Sequence, residues 1–409
     1  MTDLRIIHLA DLHLGFPGPS HLTVPDGPEA GRPLREVDIE RAVTWLATTL
    51  LNGDPPVDLV LIAGDLFHRA NPLPRAVAAA ARLVQQLTAA GIDVVIIDGN
   101  HDTPSTLPHG SPTTYLETLG AHVINGEHPE VVQGQAWRNE RLRGRLAIHG
   151  VPYGALRSEE LERLQPLDGV MNILLAHGRV QGLPEPEGVR RSDSIPSPLL
   201  RRGWDYVALG DWHAHHHNPL AGVQVLYPGS LVALNYGEAA AHPAQFEDPY
   251  ARRGVLDVQL NAAGRLSVQS LPYREGRPVL WLEPIDASGL SAEALLRALD
   301  ARTRELPTDA LATLDVLRCP SALHAELDHS ALQAMRRRAL HVNVRWEIVD
   351  LEVLQSADAP DAGSLSEQWR AYLLEHTDGE EEQGWLLEAG LRRLDEARAA
   401  LVDHRDGGA

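Results

Sequence analysis

The chain has 409 residues, 36 basic against 56 acidic, and a formal net charge of −20. That length suits two domains and an appendage, and that charge excludes a generic basic nucleic-acid binder, which needs cationic side chains to displace counterions from the backbone. Every basic residue is Arg and the only cysteine is Cys319, so no internal disulfide forms, and with neither a signal-peptide layout nor a membrane-length apolar run a soluble, cytoplasmic protein is expected.

Five apolar runs, Ile6–Ala10, Val57–Ala63, Val94–Ile97, Ile173–Ala176 and Tyr206–Leu209, predict buried strands. They are continuous rather than alternating, as strands covered on both faces should be. Amphipathic stretches at Val37–Leu51 and Ala76–Ala89 predict helices between the early ones, which gives an α/β layering. Leu146–Val151 and Val223–Tyr227 read as strands of a second sheet, the latter ending at the turn Pro228-Gly229-Ser230, and this first domain closes near Leu271.

After the break at Gly276-Arg277-Pro278 the pattern restarts as strand Val279–Ile285, helix Ala292–Glu305, strand Ala312–Leu317, helix Ser330–Leu340 and strand Val342–Leu354, a small α+β domain. From Pro360 two amphipathic helices are expected, striped by Leu365, Trp369, Tyr372 and Leu373 and then by Leu387, Leu391, Leu394 and Leu401. Such stripes either pack on their own chain or dock on a partner. The expected domains are 1–275, 276–356 and 357–409.

Ligand-type residues follow each of the five predicted strands: Asp11-Leu12-His13, Gly64-Asp65, Gly99-Asn100-His101-Asp102, His177-Gly178 and Gly210-Asp211-Trp212-His213. In an α/β sheet the carboxyl ends of the strands line the ligand crevice, so these segments are expected to converge. Asp11 and His13, two apart in extended backbone, would point the same way, and the glycines would let the backbone approach an ion or a phosphate. Carboxylate, amide and imidazole without thiolate suit Mn, Fe or Zn, with Mg less well matched. There are more donors than one tetrahedral site uses, so two ions bridged by a carboxylate such as Asp65 fit better than one. Two divalent cations would also invert the local potential of an acidic chain.

Asp11-x-His13, Gly64-Asp65, Gly99-Asn100-His101-Asp102, Ala176-His177-Gly178 and Gly210-x-x-His213 resemble the calcineurin-like metallophosphoesterase superfamily, over about residues 4 to 260. Within it, Leu9-Ala10-Asp11-Leu12-His13-Leu14-Gly15, Ala63-Gly64-Asp65-Leu66-Phe67-His68 and Tyr227-Pro228-Gly229-Ser230 followed by Glu238 resemble the SbcD-type DNA-repair nuclease subunits. The resemblance implies a layered α/β/β/α sandwich with a small α+β capping domain and C-terminal helices that dock an ATPase. It implies a first metal on Asp11, His13, Asp65 and His213, and a second on Asp65, Asn100, His177 and position 211. It further implies His101 as transition-state stabiliser or proton donor, Asp102 as the group orienting that imidazole, and His68 as a second substrate-facing histidine.

One position departs from the pattern. Where the family usually has Gly-His-x-His, this chain has Gly210-Asp211-Trp212-His213. Asp211 either ligates, making the second site harder, or reaches short and holds that ion loosely. His215, His216 and His217 could substitute, although a solvated loop is expected there. Arg69, Arg179, Arg190 and Arg191 lie near strand ends, where they could touch phosphate. The resulting expectation is a metal-dependent DNA exonuclease or endonuclease with two divalent ions, Mn2+ first and Fe, Zn or Mg as alternatives. It would be a homodimer working with an SbcC-like coiled-coil ATPase, cytoplasmic and nucleoid-associated. The alternatives are a phosphodiesterase or phosphatase acting on a small nucleotide or other phosphoester, and a non-catalytic scaffold or regulator of the ATPase.

Overall fold

A computed structural model describes residues 3–104, 110–181, 194–220, 223–241, 253–261 and 264–349. The expected C-terminal helices, Arg190, Arg191 and the last residues of the strand expected to reach Leu354 lie outside the described residues. Among the described residues no helix is long and apolar enough to cross a membrane.

Contacts divide the chain into two compact units, Met1–Ile285 with Glu293–Val316 and Asp328–Arg345, and Asp286–Ala292 with Leu317–Leu327 and Trp346–Ala409. The first unit holds two six-stranded sheets. One runs in the order Leu266–Pro272, Gly254–Leu260, Leu4–Leu9, Leu59–Ala63, Asp93–Ile97, His122–Ile124, parallel from Leu4–Leu9 onward and antiparallel on the Gly254–Leu260 side. The other runs His216–Leu220, Val223–Tyr227, Tyr206–Gly210, Met171–His177, Leu146–Val151, Glu130–Val132, with four parallel strands between two antiparallel edges.

The side-chain alternation explains the layering. Ile6, Ala10, Leu61, Ala63, Val95 and Ile97 meet Ile148, Ile173, Leu175, Tyr206 and Ala208 between the sheets. The intervening residues Ile7, Leu9, Val60, Ile62, Val94 and Ile96 turn the other way, onto Val43, Leu46 and Leu50 of helix Leu34–Leu51 and Ala80, Leu83 and Leu87 of helix Pro74–Ala89. Leu174, Ala176, Val207 and Leu209 on the far face of the second sheet are covered by Ala155, Leu199, Leu200 and Trp204. Both faces of both sheets are thus apolar, which is why the runs are continuous in sequence.

One polar pair sits between the sheets. His8 Nδ1 lies 3.0 Å from the Tyr206 hydroxyl and Nε2 3.2 Å from the Leu209 carbonyl. Burial pushes the His8 pKa down to about 3, so the ring is neutral, with Nε2–H donating to the carbonyl and Nδ1 accepting from Tyr206.

The same unit includes the short strand Val279–Trp281, paired in parallel with residues 311–313, and a cluster of Leu22, Leu34, Ala233, Val279 and Leu311. In the second unit Arg318 pairs with Asp286, and the His324 and Trp346 rings meet edge to face at 4.7 Å.

Candidate metal centre

The strands that carry donors belong to both sheets. Leu4–Leu9, Leu59–Ala63 and Asp93–Ile97 supply Asp11, His13, Asp65 and Asn100 from the first, while Met171–His177 and Tyr206–Gly210 supply His177, Asp211 and His213 from the second. The crevice therefore straddles the carboxyl ends of two packed sheets.

Asp11, His13, Asp65 and Asp211 have φ of 54°, 47°, 51° and 96°. The extended backbone expected for Asp11 and His13 is corrected: both are left-handed, because the chain turns sharply off its strand and laces to the next loop. The Asp11 N–H donates to the Gly64 carbonyl at 3.1 Å and the His13 N–H to the Asp65 carbonyl at 3.0 Å. Left-handed backbone costs a non-glycine residue roughly 1–3 kcal/mol and clusters where surrounding structure enforces it. Gly64, at φ 86°, is required for a second reason, since a Cβ there would overlap the His177 ring.

The donor atoms of Asp11, His13, Asp65 and His213 all lie within 4.8 Å of one another. His13 Nε2 is 3.1 Å from His213 Nε2 and 3.5 Å from Asp65 Oδ2. His213 Nδ1 donates to Glu238 Oε1 at 2.9 Å, so Nε2 is the nitrogen presented to the cluster. On the other side of Asp65, His177 Nε2 is 3.5 Å from Asp65 Oδ1, 3.0 Å from Asn100 Oδ1 and 3.9 Å from Asp211 Oδ1. His177 Nδ1 donates to the Ala63 carbonyl at 2.8 Å, which again frees Nε2. The two carboxylate oxygens of Asp65 thus face two different donor groups.

Electrostatics fit the same arrangement. Burial pushes the Asp11 carboxyl up to about 7 against the pull of His213 and His177. Burial, reinforced by the His213, His101 and His68 rings, holds His13 well below its ordinary value. Burial also opposes charging of His177 and His213, but Asp65, Asp11 and Asp211 around the first, and Glu238, Asp11 and Asp65 around the second, carry both up to about 9. Carboxylates packed this densely require positive charge among them. A divalent cation fits: two imidazole ligands about 2.1 Å from one ion stand roughly 3.0–3.4 Å apart, the spacing of the His13 and His213 nitrogens. Anchored second nitrogens are the usual support of metal-binding histidines.

His101 and His68 sit above this cluster. The rings stack with centroids 5.2 Å apart and planes 27° from parallel, His101 meets the His13 ring edge to face at 4.8 Å, and His68 Nδ1 is 3.5 Å from His13 Nδ1. The expectation that Asp102 orients His101 is corrected. His101 Nδ1 donates to the His68 carbonyl at 2.7 Å, whereas the buried Asp102 carboxylate turns away and accepts the backbone N–H groups of Leu66, Phe67 and Gly99 at 3.1, 2.8 and 3.0 Å. Asp102 ties the Asp65 loop to the Asn100 loop.

Asp211 donates its backbone N–H to Asp11 at 3.0 Å and accepts Arg179 Nε at Oδ2, also at 3.0 Å. Arg69 is exposed. The solvated loop expected at His215–His217 is replaced at its end by the edge strand His216–Leu220, and His216 stacks on Trp212 at 4.9 Å. Sequence reasoning assigned no role on His213 to Glu238, and none to Tyr227, whose hydroxyl donates to the Gly178 carbonyl and accepts the Val180 N–H. The signal was the segment Tyr227-Pro228-Gly229-Ser230 with Glu238, whose partners all lie near the ligands; Arg253, bonded to both Ser230 Oγ and the His213 carbonyl, completes it.

A family model for calcineurin-like phosphoesterases matches residues 4–248. Similar curated proteins include the DNA double-strand break repair protein Mre11 of Aeropyrum pernix, 31% identical over 57% of this chain and 55% of that protein. Mre11 of Haloferax volcanii is 31% identical over 57% of this chain and 47% of its own length. The metallophosphoesterase YhaO of Bacillus subtilis is 29% identical over 58% and 55%. The chain spans about half the length of the curated relatives it matches.

Proposed function

The chain belongs to the calcineurin-like phosphoesterase family, and from that premise we propose that it is a divalent-metal-dependent nuclease hydrolysing phosphodiester bonds in DNA. The observation that carries the reading is Asp65, whose two oxygens face His13 on one side and His177 on the other. Asp11, His13, Asp65 and His213 would hold one cation, and Asp65, Asn100, His177 and Asp211 a second, with Mn2+ the expected ion. When bound, such ions supply Lewis-acid charge and lower the pKa of water. The similarity to proteins named for double-strand break repair favours DNA as substrate, and we extend it to a homodimer with an SbcC-type ATPase.

The residues of the chain divide the remaining work. His101, its Nδ1–H fixed on the His68 carbonyl, leaves Nε2 as the nitrogen for substrate; as the imidazolium, with both nitrogens protonated, it would give the Nε2 proton to the leaving oxygen or stabilise charge on phosphate. His68 flanks the same space, and Asp102 holds the two loops in register. A small phosphoester is the second reading, favoured by the net charge of −20, which opposes binding a long polyanion. Turnover of linear duplex DNA and of a small chromogenic phosphodiester, both with Mn2+ and with Asp65→Ala as control, separates them. DNA cleavage lost in Asp65→Ala is expected; turnover of the small ester with DNA left intact rejects the nuclease reading.

A further inference from the structure

Arg179 follows His177 by two residues and is built into the edge of the centre. Its Nε donates to Asp211 Oδ2 at 3.0 Å, and its guanidinium carbon lies 5.6 Å from the Trp212 ring centroid. Trp212 in turn stacks on His216, the rings 4.9 Å apart and 10° from parallel. The backbone is pinned on both sides, because the Tyr227 hydroxyl donates to the Gly178 carbonyl and accepts the Val180 N–H. Among the described residues, neither terminal nitrogen of Arg179 has a hydrogen-bond partner, and the side chain is only 16% exposed.

A guanidinium has five N–H donors, and one is used here. The other four are carried by a group that is always charged, already ordered and shaped to grip oxyanions in a fork. Asp211, which holds it, has its other oxygen 3.9 Å from His177 Nε2 and its backbone N–H on Asp11. The free end of Arg179 is therefore one carboxylate away from the proposed second cation. Asp211 adds a negative charge to an acidic centre where phosphate would bind, and Arg179 cancels that charge while keeping its donors free.

We propose that Arg179 is an anion-binding residue of this centre, gripping non-bridging oxygens of a bound phosphoryl group with its terminal nitrogens. The proposal rests on the reading of the site as a phosphoester centre but not on DNA being the substrate. Inorganic phosphate titrated calorimetrically into the Mn-loaded full chain, with Mn per chain measured by emission spectroscopy, tests it. Arg179→Ala is expected to weaken phosphate binding about 10-fold or more with Mn content unchanged. Arg179→Lys, the milder change, is expected to fall between, since an ammonium cannot reproduce the fork. Phosphate affinity within twofold of wild type in Arg179→Ala, or in Arg179→Lys should the alanine variant not fold, overturns the proposal. So does loss of Mn in step with loss of phosphate, which would make Arg179 a prop for Asp211. Phosphate held through Arg179 by a protein that leaves DNA intact rejects the nuclease reading alone.

Discussion

Glu238 Oε1 stands 2.9 Å from His213 Nδ1, and this pairing decides which nitrogen of the ring faces the other donors. The carboxylate is itself held by the Leu234 N–H at 3.0 Å and the Asn235 side-chain amide at 2.9 Å, and the bond to His213 heads the forces that keep its pKa low against the cost of burial. Glu238→Gln keeps the size but removes the charge that makes His213 a strong donor. Mn2+ affinity measured by calorimetry is expected to fall 10–100-fold; an unchanged affinity would show that the ring is oriented by something else.

His101 touches the centre differently. Its backbone N–H donates to Asp65 Oδ1 at 2.9 Å, but its ring is fixed through Nδ1 by the His68 carbonyl rather than by a carboxylate of the cluster. His101→Ala is expected to leave the metal content intact and slow turnover by about 100-fold or more, the scale of a lost acid or electrostatic group. An emptied site in that variant would reassign His101 to the ligand set.

Asp102 is expected to matter for stability. An Asn in its place would turn an N–H2 toward at least one of the three backbone donors it now accepts. Leaving a buried donor unsatisfied costs about 1–3 kcal/mol. Asp102→Asn should therefore lower the urea midpoint measurably in the presence of a chelator, where metal binding cannot mask the loss. A midpoint equal to that of the wild type would mean the loops are held by other contacts.

These contrasts show what could be read in advance. Asp11, Asp65, Asn100, His177 and His213 were legible because each follows a continuous apolar run, and such a run must end where the chain leaves the covered sheet. Which sheet each run joins was not legible, since burial on both faces looks alike in either. The direction of Asp102 was hidden because adjacency to His101 says nothing of where its carboxylate finds donors. Strands His122–Ile124 and Glu130–Val132 are three residues long, too short for any periodicity to register. Gly254–Leu260 was missed because Asp257 interrupts it; the structure buries that carboxylate against Arg5, at 2.7 Å.

His8 predicts a pH effect on folding. Its pKa is about 3 in the folded protein against an ordinary value of 6.5, so as pH falls below 6.5 the unfolded chain takes up a proton that the native state refuses. Native stability must then fall with pH until about 3, at roughly 1.4 kcal/mol per pH unit from this residue alone. His8→Gln cannot titrate, so its stability curve between pH 6 and 4, from urea melts with chelator, should be shallower by that slope. Parallel curves would mean that His8 is protonated between the sheets.

The left-handed turns at Asp11, His13, Asp65 and Asp211 also bear on re-engineering the centre for a different ion. Asp, Asn and His visit that backbone region more readily than other side chains, and β-branched residues scarcely at all. The palette at those four places is accordingly narrow, and an exchange there would disturb the loop as well as the coordination. Asn100 and His177 carry no such constraint, so retuning of ion selectivity is best begun with them.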